Sequence, residues 1–63
     1  MIKDPTLRIL YDEFTKRLNA LADEVSEGRC ASFEDYKNMC GRISGLYEAR
    51  DEVIALAKKV DDE

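Results

Sequence analysis

Histidine is absent from this chain, and cysteine appears only twice. The first absence removes the side chain most often used for proton transfer near neutral pH and the commonest nitrogen ligand for metals. Cys30 and Cys40 do not repair it, because their spacing matches no zinc-site pattern. A disulfide between them is not expected either. Cys40 lies eight residues beyond a helix start at Ser32, about 12 Å along the axis, whereas bridged Cα atoms sit within roughly 7 Å. Both are expected as reduced thiols, with Cys40 serving as a small core residue. Arg29 and the following helix start would favour a thiolate at Cys30 if it is exposed, but that feature is too slight to carry a function.

Long apolar runs are also missing, so neither a membrane span nor the apolar segment of a secretory signal is expected. The expected location is accordingly the cell interior and not the secreted fraction. A basic excess is missing as well. Ten Lys and Arg face fourteen Asp and Glu, a net charge of -4, which disfavours a general nucleic-acid surface. The basic residues Lys16, Arg17, Arg42, Arg50, Lys58 and Lys59 form no uninterrupted stripe.

No catalytic constellation compensates for these gaps. Ser26, Ser32 and Ser44 fall at a helix end, a cap and a helix surface. The pairs Asp12/Glu13, Asp23/Glu24, Glu34/Asp35 and Asp51/Glu52 are neighbours in sequence, and adjacent helical residues point about 100° apart. They read as solvated surface. No phosphate loop or calcium loop is present. A non-enzyme without cofactor or metal is expected.

What is present is helical pattern. Residues 1–3 are a short lead-in expected to fray. Asp4-Pro5 then marks a helix start, with Asp4 as cap and Pro5 at the first helical position. Leu7, Tyr11, Phe14, Leu18, Leu21 and Val25 recur at spacings of four and three, with Leu10 and Ala22 widening the seam. Ile9 points away and is expected to be exposed. The pattern predicts a helix over 5–27, a turn over 28–31 with Gly28 in the left-handed conformation, and a second helix over 33–60. Ser32, with Asp35 three residues on, is a variant capping box, and Ala31 and Tyr36 are placed for a weak staple. The acidic end, 61–63, is poorly matched to a helix C-terminus, so fraying is expected from Val60.

So short a turn folds the helices back as an all-α antiparallel hairpin. Folding about Arg29–Cys30 predicts that Leu21 faces Met39 and Cys40, Leu18 faces Ile43, Phe14 faces Leu46 and Tyr47, and Leu7 faces Val53 and Ile54. Tyr11 falls near Arg50, which occupies an otherwise apolar seam position; the expectation is a snorkelling stem that can stack on Tyr11, and the alternative is a buried specificity contact or partner anchor.

The second helix has more apolar surface than one partner helix needs. One stripe, including Tyr36, Cys40, Ile43, Tyr47, Ile54 and Ala57, is expected to close the hairpin. A second set, Gly41, Gly45, Ala49, Val53, Leu56 and Val60, has no assigned partner. Each interior glycine costs about 1 kcal/mol relative to alanine, so Gly41-x-x-x-Gly45-x-x-x-Ala49 calls for a reason: close approach of another backbone, which is the preferred expectation, room beside a bulky neighbour such as Tyr47, or local flexibility. Gly41, Gly45, Ala49, Val53 and Leu56 are therefore the expected contact face. It would be covered by a second hairpin in a four-helix bundle or by docking on a larger assembly.

The segment Phe33-x-x-Tyr36-x-x-x-x-Gly41-x-Ile43-x-Gly45-Leu46-x-x-Ala49, preceded by Gly28-Arg29-Cys30, resembles small proteins encoded by tailed bacteriophages. The resemblance covers about half the chain. Such proteins are often encoded near head and connector genes, which implies a virion-associated or assembly role acting through protein–protein contacts. It places the chain in the virion or host cytoplasm, with partners that are itself, a larger phage protein or a host protein. It carries over no catalytic residue. The alternative expectation is a small regulator, either an inhibitor of a host protein or an RNA-binding dimer. In length, acidity and inferred architecture the chain is similar to the plasmid copy-number regulators of the Rop type, with no shared residue motif.

Overall fold

The computed structural model describes residues 2–62, so the expectations for Met1 and Glu63 lie outside the described residues. Helix α1 spans Pro5–Ser26 and helix α2 spans Phe33–Asp62. They lie against each other as an antiparallel hairpin 47 Å long and 15 by 13 Å across, with no strand among the described residues.

Local chemistry accounts for each inner boundary. The Asp4 carboxylate accepts from the Leu7 amide at 3.0 Å, and Pro5 follows in the first turn. At the other end of α1, the Gly28 amide donates to the Val25 carbonyl at 3.1 Å and the Arg29 amide donates to the Glu24 carbonyl at 3.1 Å. That pair of bonds is a Schellman closure, and it requires the left-handed φ of 72° that Gly28 adopts. The Ser32 hydroxyl then accepts from the Asp35 amide at 3.1 Å and opens α2.

The outer end departs from expectation. Helix α2 continues through Asp62 instead of fraying from Val60. Asp61 lines a groove that Arg8 and Lys58 also line, while the Arg8 guanidinium is paired with Asp12 at 3.5 Å.

The helices are also offset. Arg50 donates to the Thr15 hydroxyl, Ala20 shares a groove with Gly45, and Leu10 shares one with Leu56. The second helix is therefore slid about one turn relative to a fold centred on the interhelical turn. Leu21 meets Gly45 and Leu46, not Met39 and Cys40. The slide carries the first turn of α2 past the end of α1, which leaves Phe33 73% and Tyr36 45% exposed. Their rings stack on each other at 6.5 Å instead of joining the seam.

Four side chains are buried among the described residues: Leu18, Leu21, Val53 and Ala57. Two corrections follow. Cys40, expected in the core, is exposed, because it stands about 100–140° round α2 from the buried Ala57 and Val53 and so points to the side of the seam. Tyr47 is also half exposed and stacks on Arg50 from the side of the seam.

Candidate interaction face

Residues seven apart on a helix lie on one stripe. On α1, Leu10, Arg17 and Glu24 form such a stripe, with Glu13 and Ala20 beside it. On α2, Arg42, Ala49 and Leu56 form one, with Gly45, Glu52 and Lys59 beside it. Two grooves between the helices show that these stripes share one side of the hairpin. The groove near the turn is lined by Arg17, Ala20, Glu24, Arg42 and Gly45 over Leu21 and Leu46. The groove near the open end is lined by Leu10, Glu52, Leu56 and Lys59 over Leu7 and Val53.

This side presents apolar surface to solvent. Leu10 is 41% and Leu56 49% exposed, and the nearby Val60 is exposed as well. At Gly45 a Cβ would meet nothing within 4 Å, so the turn-end groove is open where a side chain could have stood. The same holds at Gly41. Neither glycine is required by packing inside the hairpin, although each weakens the helix by about 1 kcal/mol relative to alanine.

The expected contact face is thus partly assembled. Gly45, Ala49 and Leu56 lie on this side, with Ala49 half-buried. Val53 does not belong to an open surface: it is 6% exposed, because its position on α2 turns it into the seam. Gly41 stands on the same line of α2 as Lys59 and about 40° from Gly45, at the edge of this side farthest from α1, the outer side of α2. The missed members are on α1. Leu10 was expected to widen the seam, and Arg17, Ala20 and Glu24 carried no signal until the register set them opposite Gly45 and Arg42.

The other side of the hairpin is held by a polar cluster. The Arg50 guanidinium sits 5.5 Å from the Tyr11 ring centre and 5.1 Å from that of Tyr47, so the expected stacking on Tyr11 is present. Arg50 Nη1 donates to Thr15 Oγ1 at 3.3 Å, and that hydroxyl donates to the Tyr11 carbonyl at 3.0 Å. Arg50 Nε is buried without an acceptor. Near the turn, the Cys30 thiol donates to Met39 Sδ at 3.3 Å. The neighbouring Cys40, which favours the protonated phenol and repels the phenolate once it is itself a thiolate, holds the exposed Tyr36 above its usual pKa.

No arrangement of three or more metal-ligating side chains occurs among the described residues. No helix among them is long and apolar enough to cross a membrane. Comparison with protein-family models, curated proteins and solved structures finds no match.

Proposed function

We propose that this chain is a non-enzymatic helical interaction protein that works by seating the open side of its hairpin on another protein surface, in a bacteriophage virion-associated or assembly role. The observation that carries the interaction reading is the exposure of Leu10 and Leu56 beside a groove emptied at Gly45, in a hairpin whose described residues include only four buried side chains. A hairpin with so small a core gains most from covering that surface, because each apolar side chain fully removed from water contributes about 1.5–3 kcal/mol. The phage setting is supported by the likeness of the 33–49 segment to tailed-phage proteins.

The test is fractionation of purified particles together with an RNA shift assay. The chain is expected to sediment with particles or their assembly intermediates and to leave RNA mobility unchanged at low salt. Absence from particles combined with an RNA shift that fades as salt is added would overturn the proposal in favour of an RNA-binding regulator.

A further inference from the structure

The open side is complementary to itself. In order from the turn, its cross-hairpin layers are Glu24/Arg42, Ala20/Gly45, Arg17/Ala49, Glu13/Glu52, Leu10/Leu56 and a final layer with Lys59. The two smallest residues share one layer, and the two protruding leucines share another. Gly45 and Leu56 are eleven residues apart, about 16 Å, and Ala20 and Leu10 are ten apart, about 15 Å. Both spans are centred on the level where Arg50 donates to Thr15.

Resting on the interaction reading above, we infer that the occupant of this face is a second copy of the chain, placed antiparallel about a two-fold axis at the Thr15–Arg50 level. That axis lies between the two hairpins and across their length, so α1 covers α1 and α2 covers α2. Leu56 of each copy then enters the hollow at Gly45 of the other, and Leu10 enters the one at Ala20. A single operation satisfies all four contacts, as an isologous interface requires.

The charges follow the same symmetry. The chain carries -4, yet Glu13, Glu24 and Glu52 balance Arg17, Arg42 and Lys59 on this side, so it is neutral. The two-fold axis brings Arg17 of one copy over Glu13 of the other, twice. It also brings Arg42 into the layer of the second copy's Lys59, where the adjoining Glu24 offsets the repulsion.

The hairpin exposes 4901 Å², against about 4,100 Å² for a typical folded monomer of its mass, as its elongated shape requires. A surface of that size can supply the roughly 800 Å² that each partner contributes to a stable interface.

The test is the native mass of the full chain and of matched variants by sedimentation equilibrium. Wild type is expected at twice 7.2 kDa. Gly45→Leu is expected to be monomeric yet helical, and Ser44→Leu, on the outer side of α2, is expected to remain dimeric. A charge exchange tests the register without touching the core. Arg17→Glu and Glu13→Arg are each expected to dimerise at least about tenfold more weakly, and mixing the two is expected to restore dimers of one chain of each kind. A pair within one helix cannot produce that recovery.

Dimers unaffected by Gly45→Leu, or no recovery on mixing, would overturn the two-fold arrangement. A monomer that still sediments with particles, and loses them on Gly45→Leu, would overturn self-pairing while leaving the interaction reading intact. A monomer whose particle association survives that substitution would overturn self-pairing and remove this face from the interaction reading.

Discussion

Leu18 is 4% exposed near the middle of α1, one of the most buried side chains among the described residues. Leu18→Ala is expected to destabilise the chain by about 2–5 kcal/mol, read as a loss of helical signal at lower urea concentration. A cost within the range of ordinary surface substitutions, below about 0.5 kcal/mol, would contradict its burial. Arg50 shows a different balance. Its guanidinium gains from two tyrosine faces and Thr15, while its Nε is buried without an acceptor. The stacking on Tyr11 was legible from the sequence, because a cation at a seam position beside an aromatic has few other places to go. The exposure of Cys40 was not legible. A small apolar residue near the edge of a helical stripe reads as core until the docked helices show which residues form the middle of the seam, here Val53 and Ala57, about 100–140° round α2 from Cys40.

At the scale of the elements, the inner boundaries were legible to within a residue because they are local. Asp4 and Ser32 each accept an amide proton three residues on, and Gly28 supplies the positive φ. Gly28→Ala places a side chain in that left-handed conformation and is expected to cost about 1–2 kcal/mol in urea unfolding; no cost would show that the Schellman closure is not retained in solution. Gly41→Ala should act in the opposite direction. Its Cβ meets nothing and it lies on the outer side of α2, so alanine is expected to stabilise the helix by about 1 kcal/mol. A loss of stability there would mean that Gly41 is closely approached by another backbone, as the sequence pattern alone implied. The register was not legible, because it is set by the path of the turn and the fit of side chains across the seam. That single offset exposes Phe33 and Tyr36, and it puts Ala20 beside Gly45.

At the scale of the whole molecule, the existence of an unpartnered side was legible in α2, whose apolar residues cover more of its circumference than one neighbour needs. Which residues form it was only half legible. Gly45, Ala49 and Leu56 could be read from one helix, whereas Val53 is buried in the seam and Leu10 and Arg17 come from the other helix. A face built from two elements becomes visible only when the elements are docked. Pairing as proposed would link folding to association, so the melting temperature is expected to rise with protein concentration. A temperature independent of concentration would place the stability within the single hairpin.

The native mass of the purified chain, measured by sedimentation equilibrium from micromolar to submillimolar concentration, bears most directly on the open face. A mass of twice 7.2 kDa that falls to the single-chain value on Gly45→Leu and not on Ser44→Leu is the predicted result. A mass of 7.2 kDa at every concentration would contradict the pairing of this face with a second copy.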